Sequence, residues 1–119
     1  MQRRMVSLWI AFVASAAFAT ACGGGVGAGG GLVGGTCQTD RDCSRRCVAG
    51  DGNFPGGYCT VSCRSDVDCP GGTACIDRNG GMCAVTCQND AQCAGFGRGF
   101  TCSNRDRVSG GQVPVCRVD

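Results

Sequence analysis

The stretch CRSDVDCPGGTACIDRNGGMC, residues 63–83, shows the unit from which most of this chain is built. It contains four cysteines, and a similar group of four lies on either side of it. Each group opens with two cysteines separated by five residues. The twelve cysteines of the three groups are Cys37, Cys43, Cys47, Cys59, Cys63, Cys69, Cys75, Cys83, Cys87, Cys93, Cys102 and Cys116. We therefore expect three tandem four-cysteine repeats, over residues 37–62, 63–86 and 87–119.

The cysteine content predicts a disulfide scaffold, since 13 cysteines in 119 residues exceed the usual proportion for such folds. Large apolar residues are scarce in the repeats, and each repeat is too short for a conventional hydrophobic core. There is no C-x-x-C, no C-x-C and no histidine, which disfavours zinc, iron–sulfur and thiol redox sites. We expect a small disulfide-rich fold with six disulfides, little regular secondary structure, no metal and no cofactor.

Spacing alone does not choose among the three pairings that four cysteines allow. We predict that the first cysteine pairs with the third and the second with the fourth, because this connectivity fixes a helical turn to both strands of a hairpin. Each disulfide would close a loop of roughly ten to twenty residues and contribute about 2–4 kcal/mol by constraining the unfolded chain.

Each repeat has a helix-capping pattern between its first two cysteines. Good N-cap residues are followed three positions later by an acid or amide, which completes a capping box. The pairs are Thr39 and Asp42, Ser65 and Asp68, and Asn89 and Gln92. Alternating aspartates also suggest calcium ligands, but the glycine and terminal glutamate of an EF-hand loop are missing. We favour a single helical turn in each repeat and keep a calcium-dependent adhesion module as an alternative.

The second half of each repeat predicts a short hairpin. Residues 73–76 and 82–85 flank Asn79-Gly80, which is a strong turn signal. Residues 50–57 and 109–111 provide the turns of the first and third repeats. We expect strands of three to five residues.

The N-terminus predicts export. Arg3 and Arg4 precede an apolar stretch of about fourteen residues, which is shorter than the roughly 20 residues of a membrane span and is typical of a signal peptide over residues 1–21. Ala19-Thr20-Ala21-Cys22 resembles the lipobox of bacterial lipoproteins, although that family prefers leucine where Ala19 stands. Removing Cys22 also leaves an even number of cysteines. The resemblance implies a lipid on Cys22 and a place in the bacterial cell envelope.

A glycine directly after the lipid cysteine, here Gly23, resembles the pattern of lipoproteins that are sent to the outer membrane. The alternative to an outer-membrane lipoprotein is a secreted protein without lipid. Residues 22–36 then form the lipid-attachment cysteine and a linker, because nine of the thirteen residues from 23 to 35 are glycine. Glycine-rich chain loses much entropy on ordering, so we expect a flexible tether with a span of about 20 Å.

The repeats resemble the cysteine-rich C-x-x-D-x-D-C modules of extracellular and lipid-anchored proteins from bacteria such as the myxobacteria. They are more distantly similar to the N-terminal cysteine-rich region of Dickkopf proteins. The third repeat departs from the pattern at Gln92. The resemblance implies a small extracellular module and no catalytic residues.

Charge and composition narrow the function. Without Arg3 and Arg4, nine arginines balance nine aspartates, which disfavours nucleic acid as a partner. Histidine, glutamate and lysine are absent, which removes most general acid–base arrangements, so we do not expect an enzyme. We expect a structural or binding module at the cell surface. Its partners would be the membrane, through the lipid at Cys22, and an unknown extracellular protein or surface ligand.

Two long loops contain the aromatic and arginine residues that are typical of interface anchors. The candidate contact residues are Phe54, Tyr58, Phe96, Arg98 and Phe100; the alternative is that these rings only cover disulfides. A second hypothesis is a protease-inhibitor-like scaffold, in which residues 50–57 or residues 105–115 insert into an enzyme.

Overall fold

The computed structural model describes residues 25–119, and the predicted signal peptide and Cys22 lie outside this range. Each repeat forms a 3-10 turn followed by a two-stranded antiparallel hairpin. The fold is therefore small and disulfide-rich, with little regular secondary structure, as predicted. Within residues 25–119, no helix has the length and apolar character needed to cross a membrane.

The hairpins follow the predicted positions closely. The strands are β1 (Arg46–Val48), β2 (Tyr58–Thr60), β3 (Thr73–Ile76), β4 (Met82–Val85), β5 (Phe100–Asp106) and β6 (Gln112–Val118), paired in chain order. The 3-10 segments span Asp40–Asp42, Asp66–Asp68 and Asp90–Phe96. In the β3–β4 turn, Asn79 has a φ of 51°, a left-handed conformation that asparagine tolerates better than most residues.

The third hairpin is longer than expected, with strands of seven residues. Its far end adds to the second repeat: the Asp77 amide donates to the Asp106 carbonyl at 2.8 Å, and the Val108 amide donates to the Cys75 carbonyl at 3.2 Å. The additional residues thus satisfy backbone groups at the end of β3, which would otherwise be an unpaired strand edge.

The six disulfides have the predicted connectivity in all three repeats. They join Cys37 to Cys47, Cys43 to Cys59, Cys63 to Cys75, Cys69 to Cys83, Cys87 to Cys102 and Cys93 to Cys116. In every hairpin the third and fourth cysteines lie directly opposite each other on the two strands. Their side chains therefore share one face, and both reach the 3-10 turn that covers it.

The repeats also share a hydrophobic core, which the sequence did not lead us to expect. Its fully buried members come from all three repeats and include Phe54, Tyr58, Ile76, Met82 and Val115. A repeat of this size cannot enclose such side chains alone, so packing the three together supplies the missing interior.

The prediction of a flexible tether is wrong for residues 25–35, which pack against the repeats. The Gly34 amide donates to the Cys59 carbonyl at 2.9 Å, and the Cys59 amide donates to the Gly35 carbonyl at 2.8 Å. Val33 is 0% exposed and belongs to the shared core. Burial of Val33 and backbone pairing next to β2 offset the entropy lost by ordering glycine-rich chain.

Candidate functional site

The aspartate that directly follows each N-cap residue accepts a hydrogen bond from the hairpin of its own repeat. The carboxylates of Asp40, Asp66 and Asp90 each accept a hydrogen bond from the backbone amide of the third cysteine, at 2.8–2.9 Å. The amides belong to Cys47, Cys75 and Cys102, respectively. This role was not predicted from the sequence, although an aspartate recurs at this position in all three repeats.

The second acidic or amide residue caps the 3-10 turn, as predicted. The Asp42 carboxylate accepts hydrogen bonds from the Gln38 amide at 2.8 Å and the Thr39 amide at 3.1 Å, and these bonds lower its pKa. Asp68 accepts from two backbone amides in the same way. Gln92 preserves the arrangement in the third repeat, where its side-chain oxygen accepts from the Gln88 amide at 2.7 Å.

These contacts bear directly on the calcium alternative. Both carboxylates of the pair Asp66 and Asp68 already accept backbone hydrogen bonds, and Asp66 also lies 3.6 Å from the guanidinium of Arg107. Carboxylates committed to fixing a turn have fewer oxygens left for a cation. The geometry therefore favours a structural role for the aspartates.

Two of the candidate contact residues are not on the surface. Phe54 and Tyr58 are 0% and 1% exposed, and their ring centroids lie 4.4 Å apart. The Tyr58 hydroxyl accepts a hydrogen bond from the Val85 amide at 3.0 Å, and burial raises the pKa of this phenol. Both rings are core residues that join the first repeat to the second, so a docking partner would not reach them.

The loop that contains Phe54 is held at two points. Asp51 accepts two hydrogen bonds from Arg78, in the turn of the second repeat. Asn53 pairs with Val118 of the third repeat, since its side-chain amide donates to the Val118 carbonyl and its own carbonyl accepts from the Val118 amide. A loop fixed to both neighbouring repeats is poorly suited to insertion into an enzyme, which disfavours residues 50–57 as an inhibitory loop.

The three other candidates lie together at the surface of the third repeat. Phe96 and Phe100 are half-buried, and their rings stack with centroids 5.6 Å apart. Arg98, between them in sequence, is exposed. Both rings also pack against the disulfide cysteines Cys87, Cys93 and Cys116, so they do cover disulfides, as the alternative predicted. We refer to residues 96–100 as the aromatic surface, because part of it stays accessible.

The second proposed inhibitory loop is mainly a hairpin. Most of residues 105–115 belong to β5 and β6, and Val113 and Val115 are buried. Its tip, residues 108–112, is exposed, and Val108 is 40% exposed. The tip has the accessibility that an inserted loop requires, although the hydrogen bond from the Val108 amide to the Cys75 carbonyl ties its first residue to the second repeat.

A shallow depression of about 380 Å³ lies at the start of the second repeat. It is lined by Ser62, Cys63, Arg64, Asp68 and Gly80. The Asp68 carboxylate accepts from the Arg64 amide within this wall, so its polar groups serve the local turn.

No protein family, curated protein or solved structure matches this chain. Observations on where the protein acts are therefore limited to its own disulfide bonding. All twelve cysteines of the repeats are in disulfides, and extensive disulfide bonding is consistent with an exported, extracellular protein.

Proposed function

We propose that this chain is an exported, lipid-anchored, cysteine-rich module with a structural or binding role at the bacterial cell surface, and that it is not an enzyme. The observation that carries the proposal is the pairing of all twelve repeat cysteines with one another. Thirteen cysteines less these twelve leaves Cys22, which directly follows the small residues of the cleavage site. An odd cysteine at this position is the expected site of lipid attachment.

The shape of the folded part supports a presenting role. Disulfides, a shared core and the Asp51–Arg78 pair hold the repeats together, so that loops exposed on the surface keep a fixed geometry. Rigid surfaces lose little entropy on binding. We propose the aromatic surface as the region that contacts a partner. We also propose that the repeats are related to the C-x-x-D-x-D-C modules of bacterial envelope proteins.

The deciding experiment is the intact mass of the protein extracted from bacterial membranes without reductant. We expect a chain that begins at Cys22, carries a lipid and lacks the twelve hydrogens that six disulfides remove. The Cys22→Ser variant is the matched control, and it should keep the disulfides but leave the membrane fraction. An unmodified Cys22 in the wild type would contradict the anchor.

A second candidate function, a protease-inhibitor-like scaffold, is favoured by the exposed tip of the third hairpin. Residues 108–112 sit on two paired strands that the disulfide between Cys93 and Cys116 fixes to the body. Incubation with a panel of secreted proteases tests it: inhibition that is lost in Val108→Asp and kept in Val67→Asp supports the idea. Absence of inhibition across the panel contradicts it.

A further inference from the structure

We propose that the lipid at Cys22 seats the protein directly on the membrane, through a surface formed by residues 25–32 and 94–98. We call these two segments together the anchor face. This inference rests on the proposed lipid anchor. It identifies the bilayer surface as the partner of the exposed residues around Phe96.

The connection between Cys22 and the described part of the chain is short. Only three residue steps separate Cys22 from Gly25, the first residue that the structure describes. A fully extended chain spans at most about 3.6 Å per residue, so the two are at most about 11 Å apart. If the first repeat began the folded part, the steps from Cys22 to Cys37 would allow a distance about five times as long.

Hydrogen bonds hold Gly25 to the body. Its carbonyl accepts from the Leu32 amide at 3.0 Å and from the Val33 amide at 3.2 Å, which closes residues 25–33 into a compact loop. Val26 and Val33 form a bridge within this loop, and Val33 is buried in the shared core. The point where the lipid-bearing residues join the protein is therefore part of the folded surface.

The same loop packs against the aromatic surface. A Cβ placed on Gly34 would lie 3.1 Å from the Phe96 ring, and one placed on Gly95 would lie 3.3 Å from the Ala28 side chain. Residues 25–32 and 94–98, far apart in sequence, thus form one continuous surface beside the attachment point.

The chemistry of the anchor face suits a bilayer. Val26 is 39% exposed, Ala94 is exposed, and Leu32 and Phe96 are half-buried. The sequence from residue 91 to residue 105 contains Arg98 and Arg105 and no acidic residue, and residues 25–36 contain no charge. Apolar side chains next to Arg98, in two segments that contain no acidic residue, match the boundary between acyl chains and anionic headgroups.

A single-tryptophan experiment tests the inference. Trp9 lies in the predicted signal peptide, so the processed chain contains no tryptophan. We would introduce Ala94→Trp or Val26→Trp on the anchor face, and Val67→Trp as the matched control, since Val67 is 90% exposed on the turn of the second repeat. Each lipidated protein is placed on vesicles of phosphatidylcholine and phosphatidylglycerol with brominated acyl chains, which quench tryptophan on contact.

We expect fluorescence at positions 94 and 26 to fall at least twofold more than at position 67. Equal quenching at the three positions, or none at positions 94 and 26, would overturn the inference. Inserting twenty Gly/Ser residues between Gly23 and Gly24 should reduce the quenching at position 94, and unchanged quenching would contradict a role for the short connection.

The intact mass of each preparation distinguishes a failure of the anchor face from a failure of the proposed lipid anchor. A protein without lipid overturns the anchor and the seating together. A lipidated protein whose tryptophan at position 94 is not quenched leaves the anchor standing and overturns the anchor face alone.

Discussion

Asp51 of the first repeat and Arg78 of the second form a two-point ion pair: Nε and Nη2 of the arginine donate to the two carboxylate oxygens, each at 2.8 Å. The Asn79 side chain and the Asn53 amide add hydrogen bonds of 2.7 and 2.8 Å to the same carboxylate. The Asp51 side chain is only 4% exposed. A buried carboxylate with four donors thus forms a polar connection between the first two repeats.

We expect Asp51→Asn to lower the free energy of unfolding by about 2 kcal/mol, because it removes a charged acceptor and leaves Arg78 without its partner. Chemical denaturation with the disulfides intact measures the change. Asp77→Asn is the matched control, since Asp77 is exposed in the same turn, and its effect should stay within about 0.5 kcal/mol. Equal effects of the two substitutions would show that the pair contributes nothing specific.

The same pair predicts acid sensitivity. Burial alone would raise the pKa of Asp51, but the hydrogen bonds from Arg78, Asn79 and Asn53 outweigh it and lower the pKa to about 2. Because the folded pKa lies below the ordinary value of 3.8, the stabilisation is complete above about pH 5 and is lost as the pH falls through the ordinary value towards 2.

Denaturation midpoints measured from pH 6 to pH 2 check this expectation. Wild-type protein should lose more stability over the lower half of that range than Asp51→Asn does, since the variant has no carboxylate to protonate at this position. Parallel pH profiles for the two proteins would contradict the assignment.

Gly81 is a second sensitive position. It has a φ of 100°, and a Cβ there would collide with the Cys63 carbonyl oxygen. We expect Gly81→Ala to destabilise the protein by about 2 kcal/mol or more, through backbone strain and displacement of the first cysteine of the repeat. Gly71→Ala, where a Cβ meets open space at a negative φ, should change the stability by less than about 0.5 kcal/mol in the same denaturation experiment. A tolerated Gly81→Ala would refute the close approach.

The aspartate motif gives a prediction that also tests calcium. Asp66→Ala removes the acceptor for the Cys75 amide and the ion pair with Arg107, so we expect a loss of about 1–2 kcal/mol. Millimolar calcium should leave the denaturation midpoint of wild type unchanged, because these carboxylates serve the turn. A wild-type midpoint that rises with calcium, but does not in Asp66→Ala, would instead support the adhesion alternative.

Local features were predictable because their causes are local. Strands Thr73–Ile76 and Met82–Val85 follow from an Asn-Gly turn between short apolar runs, and the 3-10 turns follow from N-cap residues with an acceptor three positions later. The disulfide pairing follows from these two elements, since a turn lying over a hairpin brings its cysteines to the two strands.

The candidate site was predictable only in part. The sequence identified the aromatic residues, but it did not distinguish Phe54 from Phe96, which both lie in glycine-rich loops. Phe54 is fully buried, whereas Phe96 is only half-buried. Phe54 is buried because the first loop is tied to Arg78 and Val118, which are distant in sequence. Phe96 keeps part of its ring accessible beside the glycine-rich loop.

The three-repeat organisation, the 3-10 turns, the hairpins and the disulfide scaffold could be predicted from the sequence, because capping, turn formation and cysteine pairing act within about 25 residues of chain. Three features could be seen only in the folded protein: which rings form the core, the contact of the third hairpin with the second repeat, and the packing of residues 25–35 on the repeats. These outcomes depend on burial shared between distant segments. Val33 and Tyr58 become buried only where several repeats meet, and no short window of sequence contains that meeting.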